Sequence, residues 1–139
     1  MANGSINTYS QSQKGDDLGG RSNDFALSLK QVSWADMTAL NTMLPERLEV
    51  RAEQFAADGQ TRVTIHLRNS SEHIAFFERA AITASEGSDE ILPIQYDDNY
   101  ITVYPGESAE IHGAVAKAAS PKWVRLEGYN TPPVCVPIK

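Results

Sequence analysis

From residue 46 onward the apolar side chains recur with a period of two, and that period restricts the chain to strands with one buried face. Leu48, Val50 and Ala52 alternate with Glu49, Arg51 and Glu53; after Ala57-Asp58-Gly59-Gln60, Val63, Ile65 and Leu67 alternate with Arg62, Thr64, His66 and Arg68. Successive strand side chains point to opposite faces, so each segment is half-buried, and the intervening Asp-Gly turn joins the two as an antiparallel hairpin. Asn69-Ser70-Ser71 is a further turn, and the apolar run His73 to Ile82, with Phe76 and Phe77 at its centre, is the expected middle strand of the core. Strands are also predicted over 90–96, 99–104, 108–117, 122–129 and 133–138, punctuated by Asp97-Asp98, Pro105-Gly106, Ser120-Pro121 and Pro132-Pro133.

Seven or eight short strands without helical crossovers specify an all-β antiparallel sandwich, of which the immunoglobulin-like version fits best; a jelly roll usually needs more strands. The single cysteine, Cys135, leaves no internal disulfide, and the strand-C tryptophan of antibody domains is missing too. Packing of Phe76, Phe77 and Trp123 is therefore expected to fill the centre. Upstream, Ser33 and Asp36 have capping-box spacing, Trp34, Met37 and Leu40 share one face, and Pro45 ends the run. A short helix over 33–43 is predicted, plugging one end of a sheet and carrying Trp34 or Met37 exposed. Residues 1–25 are rich in Gly, Ser, Asn, Gln and Asp and read as a polar tail or long loop, leaving 26–139 as the sandwich domain.

Composition narrows the function classes. The chain has 139 residues, one domain's worth, with 41% hydrophobic and 22% charged residues. Twelve basic against eighteen acidic side chains give a net charge of −6, which argues against a nucleic-acid partner. No apolar run approaches the ~20 residues of a membrane span. Met1-Ala2-Asn3-Gly4-Ser5 lacks the basic start and apolar stretch of a secretion signal.

Nucleophilic and metal chemistry find little support. His66, His73 and His112 show no HxH or HExxH spacing, Cys135 in Val134-Cys135-Val136 reads as a buried inert thiol, and no GxSxG elbow occurs. No catalytic residue, metal ligand or cofactor-binding residue is assigned. Residues 86–110 hold seven acids and no Lys or Arg, interleaved with Tyr96, Tyr100 and Tyr104. Rings beside carboxylates suit a sugar, which stacks its apolar face and donates hydroxyl hydrogen bonds, so Tyr96, Asp98, Tyr100 and Tyr104 are candidate glycan contacts. The alternative is a solvated acidic face whose tyrosines cover a hydrophobic edge. Asp97-Asp98-Asn99 reads as a hairpin turn rather than a calcium loop. A glycosidase pair needs two carboxylates facing each other across a pocket, which a flat sandwich face does not supply. Asn3-Gly4-Ser5 and Asn69-Ser70-Ser71 match the short N-glycosylation pattern.

The stretch Ile91-Leu92-Pro93-Ile94-Gln95-Tyr96-Asp97-Asp98-Asn99-Tyr100-Ile101-Thr102-Val103-Tyr104-Pro105-Gly106-Glu107-Ser108 is distinctive. It resembles the "Pro-x-x-(Trp/Tyr)-x-Asp-Asn-Tyr-hydrophobic-Thr-hydrophobic-x-Pro-Gly-Glu-Ser" segment of the C-terminal immunoglobulin-like domain in glycoside hydrolase family 2 exo-β-D-glucosaminidases and related β-mannosidases. Asn7-Thr8-Tyr9, Trp34 to Asn41 with Leu44-Pro45, and Val124 to Asn130 resemble other family segments, in the family's order. The likeness spans roughly residues 7 to 138; Ser10-Gln11-Ser12 replaces the family's Trp-Leu-Ser, and Met1 to Ile6 has no counterpart. The resemblance implies a non-catalytic domain packed against preceding domains of a periplasmic or secreted glycosidase for β-linked glucosamine or mannose. In that family the catalytic glutamates lie in a separate (β/α)8 barrel, one in an Asn-Glu pair, and no Asn-Glu pair occurs here. An independent carbohydrate-binding module, using these tyrosines or Trp34 and Trp123 as stacking platforms, and a surface adhesive domain are the other readings.

Overall fold

Each period-two segment folds as a strand. The structure, a computed structural model, describes residues 36–139. Eight strands follow one another: β1 (Glu49–Ala57), β2 (Gln60–Arg68), β3 (Ala75–Thr83), β4 (Ile94–Tyr96), β5 (Ile101–Val103), β6 (Ser108–Ala116), β7 (Trp123–Glu127) and β8 (Val134–Pro137). They form two four-stranded sheets with orders β1-β2-β6-β4 and β5-β3-β7-β8, and every ladder within them is antiparallel. The all-β, immunoglobulin-like sandwich read from the sequence is the observed architecture.

The β1–β2 turn has the predicted chemistry. Ala57 pairs with Gln60, and the two residues between them, Asp58 and Gly59, both have positive φ (52° and 75°), the conformation that matches the right-handed twist of a tight hairpin. The chain end joins the sheets: Ile138 bridges Ala52 in parallel, and the Lys139 amide donates to the Ala52 carbonyl.

Between the sheets lie Val63, Ile65 and Leu67 of β2, Ile82 of β3, Ile111 and Val115 of β6, and Val124 and Leu126 of β7, all essentially inaccessible. The centre is thus aliphatic. Phe76 and Trp123 are only half-buried and Phe77 is exposed, correcting the expectation that these three rings fill the core. The cause is a β-bulge. Ala75 pairs with Val103 and Glu78 with Ile101, so three steps along β3 answer two along β5, and the extra residue is absorbed at Phe77 with φ 58°. Past the bulge the alternation has slipped by one, which turns Glu78, Ala80 and Ile82 inward and Phe77 out.

Several predicted elements are shorter than expected. Among the described residues, the helix predicted over 33–43 is a five-residue 3-10 turn, Thr38–Thr42. Asp36 Oδ1 accepts bonds from the Thr38 amide and hydroxyl, a local turn that delays the start, while Met43 is already extended ahead of Leu44-Pro45. Ser33 and Trp34 lie outside the described residues; Met37 is exposed. This turn falls in a different compact unit from residues 44–139. The strand predicted over 99–104 shrinks to three residues because the Asn99 side chain, not its backbone, pairs with β3. Cys135 is half-buried rather than buried: it faces Arg125 across the β7–β8 ladder while Val136 packs on the core.

Ile82→Ala empties a site sealed between both sheets and is expected to cost about 2–5 kcal/mol, read as a lower urea midpoint with an unchanged slope.

Candidate functional site

The slipped register of β3 gathers four rings outside the core. Phe76 and Phe77 have centroids 4.9 Å apart; Phe76 meets Tyr129, just past β7, at 5.9 Å, and Phe77 meets Tyr100, just before β5, at 6.2 Å. Phe77, Tyr100 and Tyr129 are 47%, 56% and 54% exposed. Neighbouring planes tilt by 59–74°, so the row Tyr100–Phe77–Phe76–Tyr129 is ridged rather than flat. Tyr100 shares the positive φ of Phe77, 58° at each, and each such residue costs a non-glycine side chain about 1–2 kcal/mol.

Arg79 accompanies the row. Its guanidinium lies 2.7 Å from Glu90 and 3.3 Å from Glu127. Burial works to lower its pKa, but Glu90, the Tyr100 hydroxyl and Glu127 outweigh that and hold it above the ordinary value.

The residues of the distinctive sequence motifs serve as ties between strands. Asn99 Oδ1 accepts from the Ala80 amide at 2.9 Å while its Nδ2 donates to the Ala80 carbonyl at 3.0 Å, so one side chain replaces a residue of ladder. Asn130 Oδ1 accepts from the Phe76 amide, its Nδ2 donates to the carbonyls of Leu44 and Ile74, and its own carbonyl accepts from Glu46. The buried Asn69 donates to the carbonyls of His73 and Val103 and accepts from Ser71. With its nitrogen so engaged, Asn69 is no glycosylation acceptor in the folded state; Asn3 lies outside the described residues.

The sequence-selected tyrosines and aspartate go to different surroundings. The ring of Tyr96 lies over Gly113, and its hydroxyl accepts from the Ile82 amide and donates to Glu90 Oε1 at 2.7 Å. Burial first, then Glu90, raises its pKa. Asp98 is half-buried, with Oδ1 accepting from the Asn99 amide. Tyr100 joins the exposed row, and Tyr104 is half-buried with its carbonyl closing the Glu107 turn. Among the described ring contacts none joins two of these three tyrosines.

On the opposite sheet an alternating array crosses the strands: Glu53, His66, Glu110, His112 and Asp97, with successive separations of 3.4, 3.0, 3.5 and 2.6 Å. Burial works to raise the Asp97 pKa, but the His112 amide and imidazole and the Asp98 amide hold it below the usual carboxylate value. Among the described residues no group of three or more His, Cys, Asp or Glu is arranged to hold a metal ion.

Glu78 was not singled out by the sequence. Turned inward by the bulge, it is fully buried, with Oε1 accepting from the Thr131 hydroxyl at 2.5 Å and Oε2 without a partner. A side chain at Gly128 would run into this carboxyl. The available signal was a lone acid inside an apolar run, but nothing local said which face it would take. Burial pushes Glu78 up to about 7 against the pull of the Thr131 hydroxyl. With the native pKa above the ordinary 4.5, the native state binds the extra proton between those values, so stability falls as pH rises from 4.5 to about 7 and is then level. Glu78→Gln is expected to flatten that slope and to raise stability at pH 8 by on the order of 2–3 kcal/mol, measured by denaturation at pH 5 and 8.

Comparison with known proteins gives a consistent set of relatives. Residues 27–131 match the profile described as the exo-beta-D-glucosaminidase Ig-fold domain. The exo-beta-D-glucosaminidase of Amycolatopsis orientalis is 32% identical across 96% of this chain, and that of Arthroderma benhamiae 31% identical across 70%. The crystal structure of the Amycolatopsis orientalis exo-chitosanase CsxA superposes on 93% of this chain with a TM-score of 0.76 and 30% identity. The chain spans only 13% and 10% of the two curated relatives and 16% of the crystallised one.

Proposed function

The chain belongs to the exo-β-D-glucosaminidase Ig-fold domain family, and from that membership we propose that it is a non-catalytic accessory domain of a larger glycoside hydrolase acting on β-linked glucosamine or mannose glycans. Its part is structural: it packs against neighbouring domains of the same polypeptide. The observation that carries this reading is where the motif residues go. Asn99, Asn130 and Tyr96 direct their polar atoms at backbone groups or neighbours of their own domain, closing strands rather than facing a substrate. The relatives' length supports it, since each is many times longer than the segment matched here.

A carbohydrate-binding module is the competing reading, favoured by the exposure of Tyr100. Stacking a row of sugars calls for ring faces in a common plane, however, and these tilt by 59° or more. The proposal extends to a periplasmic or secreted location, supported by the family resemblance and checked by fractionating the source cells.

The purified chain is expected to fold and to release no chromophore from aryl β-D-glucosaminide or β-D-mannoside. Turnover above buffer, lost on unfolding, defeats the reading; an upstream coding sequence continuous with a (β/α)8 barrel supports it.

A further inference from the structure

We infer that the row Tyr100–Phe77–Phe76–Tyr129 is the face by which this domain docks on an apolar, uncharged surface of another domain of the same polypeptide, an inference that rests on the accessory-domain reading. Three observations carry it.

Exposure of these rings is built in. Phe77 and Tyr100 touch each other and are the only two aromatic residues among the described ones with positive φ. A backbone strained at both sites to hold two rings in water is stabilised when a partner covers them. The apolar surface also continues past the row: the carbonyls of Ile74 and Leu44 both accept from Asn130 Nδ2, next in sequence to Tyr129, and both side chains are exposed.

The partner's chemistry follows from charge and shape. Arg79, the cation beside the row, is already held by Glu90 and Glu127, so a charged counter-surface would lose hydration without gaining an unpaired opposite charge. Ridged rings interlock with apolar side chains of matching relief, as at the core of a protein interface. As for the source of that surface, the matched segment is 13% of one relative and 16% of another, so most of each such chain lies outside this domain. A covalently attached surface meets the row at an effective concentration on the order of millimolar.

The test uses Phe77→Asn and Tyr100→Asn, because asparagine tolerates left-handed backbone better than an aromatic residue, and that relief offsets the ring contacts and the Tyr100 contact to Arg79 that are lost. The isolated 139-residue chain with either change is expected to melt close to the wild-type temperature. In the full polypeptide, amide exchange over 74–79 and 98–102 is expected to be at least about tenfold slower than in the isolated chain, and the asparagine variants should abolish that difference. Phe55→Ser, at an exposed ring on β1 away from the row, should leave it intact. Equal exchange in the two contexts overturns the inference. So does protection of the isolated chain that grows with its own concentration, which identifies a second copy, or protection by added chito-oligosaccharide that Tyr100→Asn removes, which identifies a glycan. A gene encoding no further domain overturns the accessory-domain reading itself, a result separable from all of these.

Discussion

A single left-handed residue in β3 decides which side chains that central strand gives to the core. Phe77 takes φ 58°, and the extra residue it adds against β5 exchanges the two faces of the strand for every residue that follows. Ala80 and Ile82 then complete an aliphatic centre with Ile65, Ile111 and Leu126. Without the bulge, Phe77 and Arg79 would point inward and the charge of Arg79 would need a buried partner, at a desolvation cost of several kcal/mol. The slip instead buries a carboxyl, which can accept a proton where a guanidinium cannot release one. Glu78 in its neutral form is thus a tolerable occupant of a position that Arg79 could not fill.

A bulge interrupts the ladder and leaves backbone groups without strand partners. Asparagines supply the missing partners. Asn130 caps the Phe76 amide just ahead of the bulge, and Asn99 pairs with both polar groups of Ala80 just behind it. An asparagine amide carries a donor and an acceptor in one plane, so it stands in for a peptide unit in a way that aspartate or serine does not. Gly128 belongs to the same arrangement, since only a residue without a side chain leaves room for the Glu78 carboxyl. The polar motifs and the bulge are therefore one construction.

This explains what could be read in the sequence. β1, β2 and β6 are regular nine-residue strands whose period-two pattern has no exception on the buried face of β2, and their hairpin turn carries the Asp-Gly pair its backbone demands. Their register was legible because a one-residue slip would expose Val63, Ile65 and Leu67 together. In β3 the same reasoning fails: Ala-Phe-Phe-Glu-Arg-Ala-Ala-Ile is apolar at both parities, so the pattern does not reveal an inserted residue. Over the described part of 33–43 the helix contracts to a 3-10 turn for a local reason, because Asp36 engages Thr38. Tyr96 and Asn99 were recognisable as a motif, but their ties to Ile82 and Ala80 are long-range and depend on the slipped register.

The placement of the rings bears on what the fold is for. The centre of this sandwich is closed by aliphatic side chains, with Tyr96 packed at its margin, so Phe76, Phe77, Tyr100 and Tyr129 are not needed to close it. Rings about half exposed give their own domain less than fully buried ones would, and two of them hold the backbone in a region that disfavours them. Local choices that conflict with the stability of the isolated fold concentrate at functional surfaces. Here the conflict is confined to one end of one sheet, while the opposite sheet carries the paired array of Glu53, His66, Glu110, His112 and Asp97 that suits a permanently hydrated face. The two outer faces are therefore unequal by construction, one made for water and one for a covering surface.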